Sequence, residues 1–531
     1  MRGVNTVILL ISCLGYLPYS HAVLEAPLVD LGYVKYTGIS NATVRINYYF
    51  GIRYASPPIG ERRWRKPVSI QKDNSYHGKT IHLSEPSQIC YQGNPGLPLD
   101  ITGVESEDCL SLDVLVPTNK KEGLLPVVFM IHGGGFAIGS STSPYLTPAE
   151  SLLYRSNGSV IYVGIQYRLG MLGFLGGSEV KNHGDLNAGL LDQRLALQWV
   201  KNHIQAFGGD PNKITIDGGS AGGASVTLQL QAYGGKNENL FRSAIVEYPW
   251  WQSLKPQSYQ DEQYQTVLHQ SNCTSIDCLR NLSTDKIKEL TASTEPKWAN
   301  TNYKKYTYGD FYYGPVLDGD FIRELPSVAF AAGRFTRVPI LVNHDSDEGF
   351  VFSNPNETSQ EFVQDLNALF FNPPQQFLDT LDRLYSLSSY NNSVFNQRKA
   401  IFADDYINCG TEIIATASVH YLKNPSAVYK FISSASYGYH GTLSQYIYNQ
   451  NPNGPFGLND TLGYFLQDYY LSFIKHQDPN VEKNISAPHF PSYASGNKIL
   501  LVSDEDITTA ADPDQREQCY FLHTWSNQTR N

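Results

Sequence analysis

Gly218-Gly219-Ser220-Ala221-Gly222 sets one serine among residues with almost no side chain. The strand-like run Ile214-Thr215-Ile216 precedes it, and Ser225-Val226-Thr227-Leu228-Gln229-Leu230, which can continue as a helix, follows. A strand, a tight turn and a helix in that order would expose the Ser220 hydroxyl at a helix N-terminus. Small neighbours are what such a turn requires, because a side chain there would strike the strand or the helix. A serine hydroxyl attacks a carbonyl once a base takes its proton and a carboxylate orients that base. His440, in Tyr437-Gly438-Tyr439-His440-Gly441, is the best candidate base, since a loop after the strand-like run 427–431 could aim it at the serine. His420 lies on a helical stretch and His523 near the terminus, both blander settings. Glu348, in Asp345-Ser346-Asp347-Glu348-Gly349, is the candidate acid, with Asp345 and Asp347 as rivals that the residues alone leave standing. The negative charge that builds on an attacked carbonyl oxygen needs backbone N–H groups already aimed at it. The bare loop His132-Gly133-Gly134-Gly135-Phe136, together with the Ala221 amide, offers them.

Those residues need a scaffold, and the chain alternates apolar, β-rich runs with helical patterns. Residues 127–131 and 160–165 read as buried strands, and 338–342 and 427–431 as later ones. Leu191, Leu195 and Trp199 recur one turn apart, inside a helical stretch that ends at Phe207-Gly208-Gly209-Asp210-Pro211. This is the pattern of an α/β fold, with a large, mostly parallel central sheet flanked by helices. Residues 253–337 are more polar and helical, an elaboration packed over the sheet. The chain shows neither an internal repeat nor a low-complexity linker, so 23–531 reads as one domain.

The 531 residues are 41% hydrophobic and 17% charged, a composition that folds. A net charge of −10 supplies no positive field for phosphates and argues against a nucleic-acid partner. Arg2, the apolar run 7–17 and Ser20-His21-Ala22 read as a signal peptide over residues 1–22. Against a membrane anchor stands the length of that run, far short of the ~20 residues a bilayer needs. A soluble, extracellular protein without a stable membrane anchor is expected. Cys13 falls in the leader, leaving Cys90, Cys109, Cys273, Cys278, Cys409 and Cys519, an even count that suggests disulfides. Zinc is the rival reading, but Cys-x-x-Cys spacing and a histidine cluster are both missing. Asn41, Asn157, Asn272, Asn281, Asn356, Asn391, Asn459, Asn484 and Asn527 head glycosylation sequons and are expected on the surface. The expected reaction needs no metal or organic cofactor.

Taken together, the residues resemble the type-B carboxylesterase family of α/β-hydrolases, which includes cholinesterases, fungal-type lipases and noncatalytic neuroligins. The likeness rests on Phe50-Gly51-Ile52-Arg53-Tyr54-Ala55-Ser56-Pro57-Pro58-Ile59-Gly60 and Glu107-Asp108-Cys109-Leu110-Ser111-Leu112-Asp113-Val114. It continues through Tyr167-Arg168-Leu169-Gly170, Asp192-Gln193 and residues 207–211 to the serine turn, and covers most of the chain. The resemblance implies a Ser220–Glu348–His440 triad with Gly134, Gly135 and Ala221 as oxyanion donors. It also implies bridges Cys90–Cys109 and Cys273–Cys278, leaving Cys409 and Cys519 as a third pair, and a small-molecule ester as partner. Trp250 and Trp251 fall where relatives line the acyl pocket, although plain core packing accounts for two tryptophans equally well. Gly219 departs from the pattern, since many relatives carry glutamate there. The short Cys90–Cys109 segment lacks the tryptophan that stacks on choline. Its Gln92-Gly93-Asn94-Pro95-Gly96-Leu97-Pro98 is too rich in proline and glycine for a long amphipathic lid helix. The expectation is a secreted ester hydrolase for small to medium esters, with a lipase or a noncatalytic binding protein as alternatives.

Overall fold

The computed structural model describes residues 24–96, 101–141, 149–236, 238–297, 305–448 and 459–531. The expected leader, 1–22, and Leu97 and Pro98 of the Cys90–Cys109 segment lie outside them. Twelve strands form the main sheet: β1 Leu24–Glu25, β2 Ile39–Asn41, β3 Ile46–Arg53, β4 Ser111–Pro117, β5 Leu125–Ile131, β6 Ile161–Ile165, β7 Gly209–Gly219, β8 Ser243–Glu247, β9 Ile340–Asp345, β10 Val428–Ser433, β11 Lys498–Val502 and β12 Ile507–Ala511. Their spatial order is β1-β2-β3-β4-β6-β5-β7-β8-β9-β10-β11-β12. From β6 across to β11 every neighbouring pair is parallel. Antiparallel pairs close both margins. The sheet is thus parallel where it is covered on both faces, and there its strands are continuously apolar: Val127, Val128, Phe129, Met130 and Ile131 are all buried.

The expected helix is α1, Ala188–His203. It continues as a 3-10 turn, Ile204–Phe207, and stops at Gly208, whose φ of 90° suits glycine. Of the three spaced residues, Trp199 is buried. Leu190, Leu197 and Val200 are fully enclosed, whereas Leu191 and Leu195 are half-buried. Polar residues share the inner face, for Asp192 is buried against Arg168 at 2.7 Å. Strand β7 also runs well beyond the three residues expected of it, because Gly209 pairs with Leu125 ahead of a register shift. Helix α2, Ala221–Gly235, leaves β7 with a kink at residues 232–234. Helix α3 is Cys409–Tyr421, α4 is Thr442–Ile447 and α5 is Asp460–His476.

Disulfides join Cys90 to Cys109, Cys273 to Cys278 and Cys409 to Cys519. The last ties α3 to the helix Glu517–Thr524 near the C-terminus. Eight of the nine sequon asparagines are exposed and Asn484 is half-buried. Among the described residues, no helix is long and apolar enough to cross a membrane. Strands β5, β7, β9 and β10 all point their C-terminal ends the same way, so the loops that follow them meet at one edge of the sheet.

Candidate active site

Ser220 occupies the turn between β7 and α2 with φ 58° and ψ −126°, a conformation that costs a non-glycine residue on the order of 1–3 kcal/mol. Its neighbours hold it there. Ser220 N donates to Glu247 O at 3.1 Å, and Ser220 O accepts from Ala224 N and Trp250 N, each at 2.9 Å. A Cβ on Gly222 would lie 2.1 Å from Ile131 O, so glycine is required where the helix passes β5. Ala221 opens α2, and its N–H is one of those a helix start leaves without an intrahelical acceptor.

The loop after β5 packs directly on this turn, since a Cβ on Gly133 would lie 2.7 Å from Gly219 O and 3.1 Å from Ser220 Cβ. Gly134 and Gly135 have φ of 103° and 62°, the left-handed region that favours glycine. The Gly134 carbonyl accepts from Ala137 N and Ile138 N, which closes the loop. His132 anchors its start. The imidazole stacks on Tyr167 at 4.4 Å, and the Tyr167 hydroxyl donates to His132 O at 2.8 Å. Burial pulls the His132 pKa down to about 4, so this ring is neutral and structural at pH 7.

His440 Nε2 lies 2.8 Å from Ser220 Oγ, and His440 Nδ1 lies 2.5 Å from Glu348 Oε2. The structure therefore brings the expected serine, base and acid into one chain of hydrogen bonds. Asp345 N donates to Glu348 Oε1 at 2.6 Å. Glu348 is fully buried, and the His440 side chain is 9% exposed. Burial lowers the His440 pKa to about 3, leaving a neutral imidazole free to accept a proton. Burial raises the Glu348 carboxyl to about 8, against the opposing pull of His344. The unfavourable buried carboxylate gains its counter-charge when His440 becomes protonated.

The rival acids have other tasks. Asp347 pairs outward with Lys399 at 2.6 Å. Asp345 accepts from Gly441 N at 2.9 Å and from Thr442 Oγ1 at 3.2 Å, fixing the loop that carries His440. Asp347 and Tyr439 form an isolated parallel bridge. Side chains alternate across such a pairing, so Glu348 and His440 share the opposite face. Neither His420 nor His523 reaches the site: the first packs edge-on against Tyr421, and the second lies 3.6 Å from Glu412.

Trp250 and Trp251 separate. The Trp250 ring is fully buried 5.8 Å from His440, among Phe311, Phe352, Phe402 and Tyr406. Trp251 packs against Phe330 and donates to Thr227 Oγ1 at 3.0 Å, which makes it core. Phe352 stands edge-on to His440 at 4.9 Å and Tyr248 at 5.1 Å. Sequence reasoning missed both rings; the run Phe350-Val351-Phe352 just past Glu348 was the available signal for the first. Across the loop, the Phe311 ring abuts Gly135, where a Cβ would lie 2.1 Å from it.

The arrangement holds a hydroxyl next to a neutral base, at a helix start and against a bare glycine loop, which suits acyl transfer. The described residues offer no cluster of groups that could hold a metal ion. The family model described as "Carboxylesterase family" matches residues 26–522. Carboxylesterase patB of Aspergillus clavatus is 29% identical, over 96% of this chain and 98% of that protein. The secreted triacylglycerol lipase LIP1 of Gibberella zeae is also 29% identical, over 95% of this chain and 91% of that protein. The crystal structure of Aspergillus niger EstA superimposes with a TM-score of 0.84 at 28% identity, covering 95% of this chain and 99% of that one.

Proposed function

We propose that this chain, which belongs to the carboxylesterase family and is a carboxylic ester hydrolase, cleaves its ester through an acyl group carried on Ser220. Ser220 Oγ attacks the ester carbonyl as its proton passes to His440 Nε2. The N–H groups of Gly134, Gly135 and Ala221 stabilise the oxyanion. His440 then hands the proton to the departing alkoxide, and the alcohol leaves. A water molecule, deprotonated by the same imidazole, attacks the acyl-enzyme and releases the acid. Glu348 orients His440 and balances its charge while it is protonated. The observation that carries this reading is the hydrogen-bonded run from Ser220 Oγ to His440 to Glu348.

Small to medium esters are the proposed substrates. Supporting this are the aromatic enclosure of Trp250, Phe311 and Phe352 beside the site and the Gln92–Gly96 segment, which forms no helix. The relatives named as secreted lipases favour an extracellular protein, as do the three disulfides and the exposed sequons. They also keep a lipase as the second reading. A jump in rate above the solubility limit of a long-chain ester would favour it.

A fluorophosphonate probe should label Ser220 in the folded protein. Ser220→Ala should abolish labelling and lower hydrolysis of a short-chain aryl ester by roughly 10⁴- to 10⁶-fold. Near-normal hydrolysis by that variant would sink the assignment.

A further inference from the structure

Gly219 is not in the left-handed region, so the turn itself does not demand glycine there. What demands it is a neighbour. A Cβ on residue 219 would lie 2.2 Å from the Tyr248 hydroxyl oxygen and 2.4 Å from the ring carbon that bears it. The phenol of Tyr248 thus fills the volume that any side chain just ahead of the nucleophile would take.

Tyr248 is itself held in an unusual backbone conformation, with φ 29° in a residue that carries a Cβ. Its N–H donates to Asn343 O at 2.8 Å on β9, and the residue before it, Glu247, accepts the Ser220 N–H. The ring is buried and stands edge-on to the His440 imidazole, with centroids 5.1 Å apart and planes at 81°. The hydroxyl faces Ser444 in α4, the helix that starts two residues after His440. One side chain therefore touches the residue before the nucleophile, the ring of the base and the helix behind that base.

We propose that Tyr248 is a positioning residue: seated in the space that Gly219 leaves open, it clamps the His440 ring in line with Ser220. The inference rests on the reading of His440 as the general base. Trp250 and Phe352 bound the same imidazole, so Tyr248 completes an aromatic enclosure on the side nearest the nucleophile strand. Proton transfer needs the ring in register with both oxygens, and a small displacement costs much of the rate. Aromatic faces also suit the positive charge the ring acquires.

Three variants test it: Tyr248→Leu, Tyr248→Phe and Gly219→Ala, each measured for kcat and KM on an aryl ester. Rates are normalised to sites labelled to completion by a fluorophosphonate, and thermal midpoints are recorded alongside. Tyr248→Leu should lower kcat per labelled site by roughly 30- to 100-fold with little change in KM. Tyr248→Phe, which keeps the ring and loses the hydroxyl that faces Ser444, should stay within about fivefold of the parent. Gly219→Ala pushes the phenol aside and should match Tyr248→Leu, yet cost less than about threefold when added to it, because the clash is then gone. A kcat for Tyr248→Leu within about threefold of the parent would overturn the proposal, whatever the midpoint does. Equal losses for the Leu and Phe variants would overturn it too, since the ring would then contribute nothing. Should Tyr248→Leu fail to fold, an unchanged kcat for Gly219→Ala overturns the proposal instead. A parent protein that the probe does not label is a different failure, that of the Ser220 reading itself.

Discussion

Behind β9 and β10, Lys430 Nζ lies 2.8 Å from Asp512 and 2.6 Å from Asp514, and His344 Nε2 lies 2.8 Å from Asp514. Beneath β7 and β8, by contrast, the Tyr448 hydroxyl donates to Asp217 Oδ2 at 2.7 Å, with Glu247 Oε1 only 3.1 Å from the same oxygen. Both clusters are buried, and both brace strands that lead into the site. The first balances its acids with cations. Among the described residues, no cation pairs with the acids of the second. One hydroxyl proton thus faces two carboxyl groups, nearer to Asp217 than to Glu247. Burial, with the charge of Asp217 added, raises Glu247 well above the usual range. Burial likewise pushes Asp217 up to about 7. Asp514 moves the other way, since Lys430 and His344 overcome its burial and hold it far below an ordinary carboxyl. Equal burial thus yields opposite proton affinities, and local charge balance decides the sign.

The largest effect should come from breaking the balanced cluster. Lys430→Met leaves Asp512 buried without its cation and Asp514 with His344 and the more distant Arg516, and stability at pH 7 should fall by about 3–5 kcal/mol in urea denaturation. A loss below about 1 kcal/mol would mean that the cluster is hydrated and the contrast false.

The same contrast sets opposite pH responses. Asp217 has its folded-state pKa raised, so its contribution is complete below about pH 4 and drains away as pH rises through about 7. Asp514 has its pKa depressed, so its contribution is complete above about pH 4 and drains away as pH falls below that. Asp217→Asn keeps an acceptor for Tyr448 and removes the titration. It should be close to neutral at pH 4 and stabilising at pH 8 by on the order of 2–4 kcal/mol. Urea midpoints across pH 4–8 measure this, and a parallel pair of curves for parent and variant would refute the unbalanced pair.

How visible was each region in the sequence? The serine turn was legible because its chemistry is local: small residues, a strand before, a helix after. Glu348 and His440 were legible from their places after strands, although the residues alone left Asp345 and Asp347 standing and the family resemblance singled out Glu348. Neither buried cluster was. Lys430 was read as part of an apolar strand, and a lysine in such a run was the one clue that a buried partner must exist. Its partners Asp512 and Asp514 lie far along the chain, just past β12, and come near through the β10–β11–β12 neighbours. Glu247 and Asp217 each sit among strand residues, and pairing across β7 and β8 is a tertiary fact with no spacing to betray it. Gly219 looked like the loss of an acid, and the tyrosine that fills its place is distant in sequence. The parallel sheet and α1 were legible from alternation and spacing, but the burial of Asp192 against Arg168 on α1 was not.

The smallest effect tests whether the balanced cluster reaches the site at all. His344 Nδ1 lies 2.7 Å from Asp345 O while Nε2 faces Asp514, so both ring nitrogens meet acceptors and the imidazolium satisfies both. Burial opposes that charge, and Asp514 more than restores it, leaving the His344 pKa raised. The charge matters one residue group away, since His344 is the leading influence that pulls the Glu348 pKa down against burial. Asp345, Asp347, Tyr248 and Ser220 are the other titratable or polar groups around Glu348 and His440, and none of them carries a fixed positive charge. His344→Gln can keep one of the two hydrogen bonds and removes that charge. Glu348 and His440 should then both hold protons more tightly, moving the acid limb of kcat/KM up by a few tenths of a pH unit, with kcat at pH 8 within about threefold of the parent. A limb that stays put, in a variant that melts normally, would confine the balanced cluster to stability and leave the electrostatics of the site to the unbalanced one.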